Sequence, residues 1–309
     1  MKRIAFTLLL LFAFAESADA QNFYARQRGD RTWKFSYGLG AAQYHGDLYD
    51  VFYDGMSAAT GFSLGMGLSK KIGSQTSLRL DANYYQIGGD DADVDGKGTN
   101  FGRQGDSDRY LRNLSFRSRN LEIVAMASIN LLPNSRGYAR RPFVNPYIML
   151  GFGWTTVNPK ALLDGEWYLL RDYTTELGYA PEGQQNKGWT MVVPIGLGLR
   201  VRATNYIDII FEASERFTFT DYLDDISTSY PSRQSLIDYH GPEKGEIAYR
   251  LSNRRGELEG EDNYREGQQR GNPEYNDAYF IFQVRLEMYM PPKFLKNVIA
   301  PGKKRPKYR

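Results

Sequence analysis

The chain has 309 residues, with 39 Lys or Arg, 36 Asp or Glu, 2 His and no Cys, for a formal charge of +3 at neutral pH. So even a balance of charge singles out no partner and argues against a dedicated nucleic-acid binder. The lack of cysteine excludes disulfide stapling, thiolate catalysis and a cysteine-linked lipid anchor.

Residues 1–20 read as an export signal. Lys2 and Arg3 precede an apolar run from Ile4 to Ala15, and Ala18, Asp19 and Ala20 offer a small-x-small cleavage site. The run is shorter than the roughly 20 residues a membrane-spanning helix needs, so a retained helical anchor is the weaker reading. The expected mature chain starts near Gln21, with a short segment 21–32 before the first strand.

From Trp33 onward, eight segments of about ten residues alternate apolar and polar side chains, the period of a strand with one apolar face. The first, Trp33 to Tyr44, sets Trp33, Phe35, Tyr37 and Leu39 against Lys34, Ser36, Gly38 and Gly40. The second, Thr60 to Lys70, sets Phe62, Leu64, Met66 and Leu68 against Ser63, Gly65 and Gly67, and the third, Thr76 to Ile87, sets Leu78 and Leu80 against Arg79 and Asp81. The fourth, Asn120 to Leu131, places Leu121 and Ile123 opposite Glu122, and the fifth, Pro146 to Val157, places Ile148, Leu150, Phe152 and Trp154 opposite Gly151, Gly153 and Thr155. The sixth, Thr190 to Arg202, carries Ile195, Leu197 and Leu199 against Gly196, Gly198, Arg200 and Arg202. The seventh, Tyr206 to Phe217, carries Ile207, Ile209 and Phe211 against Asp208, Glu212 and Arg216, and the eighth, Ala278 to Met290, carries Val284 and Leu286 against Arg285 and Glu287.

These segments predict an all-β fold: an eight-stranded antiparallel transmembrane β-barrel over residues 33–290, the smallest of its type, with an apolar outside and a polar inside. A soluble lipocalin-like barrel or a β-sandwich has the same period, and the choice turns on which face is charged. Aromatic residues near strand ends (Trp33, Tyr44, Tyr147, Trp154, Trp189, Tyr206, Tyr279 and Tyr289) are expected to form interfacial girdles. Short connections near 71–75, 132–145 and 203–205 alternate with long ones at 45–59, 88–119, 158–188 and 218–277. That asymmetry places both chain ends in the periplasm and leaves residues 291–309 as a basic periplasmic tail or a solvated end.

The interior charges, Lys34, Arg79, Asp81, Glu122, Arg200, Arg202, Asp208, Glu212, Arg285 and Glu287, carry both signs and are expected to pair and plug the lumen. A wide diffusion pore is therefore not expected. Enzyme chemistry has little support: His45 and His240 fall in predicted loops and no G-x-S-x-G-like elbow occurs, so the expectation is a non-enzymatic protein without cofactors. Acidic clusters at Asp90, Asp91, Asp93 and Asp95 and at Asp221, Asp224 and Asp225 offer oxygen ligands for calcium but lack the twelve-residue loop spacing. The stretch Thr218 to Asp225 reads as a polar turn folding over the barrel mouth, and 231–276 as a polar, mobile insertion.

Six stretches, QYHGDL (Gln43 to Leu48), GGDDAD (Gly88 to Asp93), RYLRNLSFRSRNLE (Arg109 to Glu122), PYIMLGFGWTTVNPKA (Pro146 to Ala161), PIGLGL (Pro194 to Leu199) and EASERFTFTDYLDDISTSY (Glu212 to Tyr230), resemble the PorG-like outer-membrane barrel subunit of the Bacteroidota type IX secretion system. The resemblance implies a component of the secretion and gliding machinery that anchors or organises a periplasmic ring, made of a lipoprotein and its companion protein, at the outer membrane. It does not say which residues bind. Physical reasoning points to the expected periplasmic surfaces: Arg136, Tyr138, Arg140 and Arg141, because arginine beside aromatics favours interface centres, and Lys303, Lys304 and Arg305 in the tail. Contact of the same arginines with lipid headgroups explains them equally well. The alternative function is a surface adhesion or structural barrel of the small OmpA or OmpX type, binding an external ligand through its long loops.

Overall fold

The computed structural model describes residues 33–48, 61–91, 111–134, 141–185, 187–259 and 266–290. The export signal 1–20, the segment 21–32 and the tail 291–309 lie outside the described residues. The strands are β1 (Trp33–His45), β2 (Gly61–Lys71), β3 (Thr76–Asp90), β4 (Ser115–Asn130), β5 (Val144–Thr156), β6 (Pro159–Leu163), β7 (Glu166–Leu169), β8 (Trp189–Arg202), β9 (Ile207–Thr218) and β10 (Ala278–Met290).

Ten strands share one sheet in the order β3-β2-β1-β10-β9-β8-β5-β4-β6-β7, and β3 also pairs with β4. Setting aside the hairpin β6–β7, which hangs on β4 at Arg117 and Ser118, the remaining eight close into an antiparallel ring. First and last strands meet in full register, from Trp33 opposite Met290 to His45 opposite Ala278. Closure leaves the ring no open edge, the condition for crossing lipid with strands.

The two faces separate residue by residue. Leu80 is 57% exposed and Asp81 2%; Leu121 is 60% exposed and Glu122 is fully buried. An outward belt of Phe35, Leu64, Leu150, Leu197 and Leu286 would lie bare in water, whereas the charges are inside, the reverse of a soluble barrel. Trp33, Trp154, Trp189 and Tyr206 stand on that outer face, with the Lys70 ammonium 4.9 Å from the Trp33 ring.

Four of the expected girdle residues do otherwise. Tyr44, Tyr147, Tyr279 and Tyr289 are buried in the lumen. Strand parity explains this: Tyr279 and Tyr289 share the face of Arg285 and Glu287, and Tyr147 is one residue from the outward Ile148. Position along the strand suggested an interface, but the two-residue period decides the side.

At the long-loop end the strands run past their expected limits. β3 ends at Asp90 and β4 begins at Ser115, and these extensions pair with each other. His45 is the last residue of β1, so it is not in a loop. The insertion expected to be mobile holds two packed helices, α1 (Arg233–His240) and α2 (Pro242–Ser252), and a short turn of helix, α3 (Gly256–Glu259). Ser232 caps α1 by accepting from the Ser235 amide, and Gly241, with φ of 84°, reverses the chain before Pro242 starts α2. The helices touch at Gly245, where a Cβ would sit 2.5 Å from the Ile237 Cα. Leu236, Ala248 and Tyr249 form the small core beneath them. His240 closes α1, its Nε2 2.6 Å from the Thr174 hydroxyl.

Candidate functional site

The inward residues stack in three layers. In the middle, Arg79 holds Glu212 with two hydrogen bonds, of 2.5 and 2.9 Å, and Asp81 at 2.7 Å, while Arg285 reaches Asp81 at 2.9 Å and lies 3.6 Å from Glu212. Two cations and two carboxylates thus neutralise each other where water is excluded. The Tyr147 hydroxyl also donates to Glu212. Its ring occupies the space opposite Gly198, where a Cβ would lie 2.1 Å from the Tyr147 Cζ, so glycine admits the ring.

Toward the long loops, buried Glu122 accepts from Arg216 at 3.2 Å, the Tyr279 hydroxyl at 2.5 Å and Asn83 at 2.6 Å. Tyr85 stacks on Tyr279, their centroids 4.6 Å apart. Toward the short turns, Glu287 pairs with Lys34 at 2.8 Å and Arg200 at 3.2 Å, and Asp208 with Arg141 at 2.6 Å and Arg200 at 3.6 Å. The Tyr289 hydroxyl completes Asp208 at 2.9 Å.

Lys34, Arg79, Asp81, Glu122, Arg200, Glu212, Arg285 and Glu287 therefore all take part in lumen ion pairs. Arg202 stands apart: half-buried, it donates to the Arg141 carbonyl at 3.1 Å. Sequence reasoning missed two features. One is the set of tyrosines that give buried carboxylates a neutral donor, legible from parity alone. The other is an apolar contribution from Val124, Met126, Met149 and Ile210, inward positions that break the simple alternation.

Arg141 is a correction. Expected on an exposed partner-binding patch, it is 4% exposed, with its guanidinium on Asp208 and on the carbonyls of Thr204, Asn205 and Ile207. A planar fork with five donors can satisfy a carboxylate and a turn's carbonyls together, so Arg141 locks the β8–β9 turn to the barrel floor. Arg136, Tyr138, Arg140, Lys303, Lys304 and Arg305 lie outside the described residues.

The long-loop end is roofed by the other acidic groups. The turn from Thr218 to Asp225 lies over the mouth, with Leu223 and Ile226 buried in the same core as Tyr44 and Leu48. Tyr44 Oη lies 2.7 Å from Asp224 and 2.6 Å from Asp277, and also accepts from the Asp47 amide at 3.1 Å. A phenol has one proton to give, so one of the two carboxyls must carry its own. Burial pushes Asp224 and Asp277 well above the usual carboxylate range, and their neighbouring carboxylates add to it. Burial likewise lifts Asp221 to about 9 and Asp225 to about 7.

Glu176, fully buried, holds the roof together. It accepts from the Ser227 and Thr228 amides at 2.8 and 2.9 Å, from the Thr228 hydroxyl at 2.7 Å and from Arg270 at 2.8 Å. Arg112 pairs with Asp91 through two bonds of 2.8 Å and donates to the Asp47 and Arg270 carbonyls, tying three loops. Asp93 and Asp95 of the first acidic cluster lie outside the described residues. Among the described residues, no group of three or more His, Asp or Glu side chains is arranged to hold a metal ion.

A closed eight-strand ring with a lipid-facing belt and an ion-paired lumen defines a small transmembrane β-barrel of the outer-membrane type. Among solved structures, the chain is similar to Neisserial surface protein A, at 10% identity and a TM-score of 0.36, covering 83% of this chain and 96% of that one. Ail, the attachment invasion locus protein of Yersinia pestis, solved with the heparin analogue sucrose octasulfate, matches at 8% identity and a TM-score of 0.36, covering 84% and 98%. OprG from Pseudomonas aeruginosa matches at 10% identity and a TM-score of 0.34, covering 85% and 98%. No protein-family model and no curated protein sequence matches the chain.

Proposed function

We propose that the protein is a non-enzymatic outer-membrane barrel that presents its folded long-loop end as a rigid recognition surface outside the cell. The observation that carries this reading is the order of that end. Glu176, Arg270, Arg112 and Asp91 are buried and mutually bonded, which fixes the described parts of these loops in one arrangement. On the platform so held, Tyr239 and Tyr275 are 64% and 72% exposed, and exposed aromatics on a polar, rigid support suit recognition. Cells carrying the native protein should bind an external glycan or matrix ligand in a panel screen. Tyr239→Ala with Tyr275→Ala should abolish that binding while the barrel stays folded and inserted. Binding unchanged by the double substitution would remove this reading.

A second reading rests on the sequence resemblance. Here the short-turn end faces the periplasm, together with both chain ends, and the barrel anchors the ring lipoprotein and its companion beneath a type IX secretion machine. Affinity isolation of the tagged protein from solubilised outer membrane, followed by mass spectrometry, separates the two. Co-recovery of the ring proteins, lost on deletion of residues 291–309, supports the secretion role; recovery of the barrel alone opposes it.

A further inference from the structure

We propose that the outer wall of the barrel, where β4 meets the β6–β7 hairpin, is a binding site for the phosphate of an anionic lipid headgroup. The strand register builds the site row by row. Tyr84 of β3 stands opposite Leu121 of β4, and Thr156 of β5 opposite Trp189 of β8; the Thr156 hydroxyl accepts from the Leu121 amide at 2.9 Å, which joins the four into one row. Leu121 is the last outward apolar side chain of β4 before the loops, and a row that also holds an outward tryptophan and a tyrosine marks the level where acyl chains give way to headgroups. One step further along β4 the outward position is Arg119, opposite Gln86, and the next is Arg117, flanked by Gly88 of β3 and Lys160 of β6. Arg117 and Lys160 therefore face each other with Cβ atoms about 5 Å apart, and Arg119 lies about 7 Å along the same face.

A second observation concerns what these cations touch. Like charges directly opposite on paired strands repel, yet no carboxylate among the described residues pairs with Arg117, Arg119 or Lys160. The carboxylates of the hairpin are engaged elsewhere: Glu166 accepts from the Tyr168 hydroxyl at 3.1 Å, and Asp164 pairs with Arg250 of α2. The contacts the arginines do make are neutral. Arg119 Nε donates to Gln86 at 3.0 Å, and the Arg117 guanidinium lies over the Trp167 ring, 3.7 Å from its centroid. A ring against the guanidinium face leaves the N–H edge free and holds it for a two-point contact with phosphate oxygens. Continuity with the belt selects a lipid over a soluble anion. Outward Leu121, Ile123 and Trp154 lie below the cations, where the acyl chains of a lipid seated on them would run.

Native mass spectrometry of the folded protein released from neutral detergent micelles, with phosphatidic acid or phosphatidylcholine added, reads the bound lipid directly. A single phosphatidic acid should be retained per barrel and phosphatidylcholine should not. Arg117→Gln with Lys160→Gln should weaken retention at least about tenfold. Lys160→Glu, which sets a carboxylate opposite Arg117, should abolish it while circular dichroism shows the barrel still folded. Lys70→Gln, at the cation beside Trp33 on the other rim, should change nothing. Equal retention of the two lipids, equal losses from Lys70→Gln and from the double substitution, or displacement of the lipid by an equal concentration of inorganic phosphate overturns the proposal. The site depends on the lipid-facing belt alone, so failure of either functional reading above leaves it testable by itself.

Discussion

The two mouths of this barrel solve one problem in different ways. At the short-turn end, among the described residues, Lys34, Arg141 and Arg200 pair with Glu287 and Asp208. At the long-loop end, carboxyls crowd together, and Asp224, Asp277 and Asp221 rely on protons and on a tyrosine hydroxyl. Between them lies a neutral layer of Arg79, Arg285, Asp81 and Glu212. The difference teaches where charge is tolerated: a buried group survives by pairing or by titrating, and the long-loop end uses both, pairing Glu176 with Arg270 and Asp91 with Arg112 while Asp224 and Asp277 hold protons.

The largest effect should come from breaking the layer that separates the ends. Glu212→Ala leaves Arg79 and Arg285 to share Asp81 and removes the acceptor of Tyr147, at a cost of about 3–5 kcal/mol. Urea unfolding of the vesicle-inserted protein should show this, with Glu212→Gln recovering part. Arg141→Ala comes next. Asp208 keeps Arg200 and Tyr289, so the loss should be nearer 2 kcal/mol, read in the same assay.

Tyr44→Phe tests the roof alone. Without the hydroxyl, Asp224 and Asp277 lose their shared donor, and the roof should loosen by about 1–2 kcal/mol while the ring is unchanged. Hydrogen exchange at Leu223, Ile226 and Asp277, whose amides are bonded within this turn, gives the readout. The same amides report the effect of pH. Carboxyls whose folded pKa is raised bind more protons folded than unfolded, so their stabilisation is complete below about pH 4 and falls as pH rises toward the folded values, about 7 for Asp225 and about 9 for Asp221. Intrinsically corrected protection of the roof should therefore be greater at pH 5 than at pH 9, with barrel amides indifferent. The smallest effect belongs to the solvent-exposed pair of Arg250 and Asp164, 2.6 Å apart, which joins α2 to the β6–β7 turn: Arg250→Ala should leave unfolding unchanged within error.

Most of the barrel was legible because a period of two is a strong signal wherever one face meets lipid. Lys34, Asp81, Glu122 and Arg285 were all placed inside by their parity with outward Leu, Ile and Phe residues. The same rule, applied to Tyr147 and Tyr279, would have placed them inside too, but their position near strand ends suggested a girdle instead. Arg141 was not legible. It belongs to a turn, its partner Asp208 is far along the chain, and nothing in its neighbourhood separates a displayed arginine from one folded inward. The helices of the insertion were obscured by composition, since α1 buries Leu236 and α2 buries Gly245 and Ser252 beside Ala248, Tyr249 and Leu251, too few apolar positions to mark an amphipathic stripe. Their boundaries were nevertheless written in Ser232, Gly241 and Pro242.

The most direct test of a filled, neutral middle between the two mouths is current through single barrels in a planar lipid bilayer at neutral pH. Arg79, Asp81, Glu212 and Arg285 pair across the lumen with Tyr147 beside them, so inserted native protein should carry no steady current. A stable ohmic conductance from correctly folded native barrels would contradict the account.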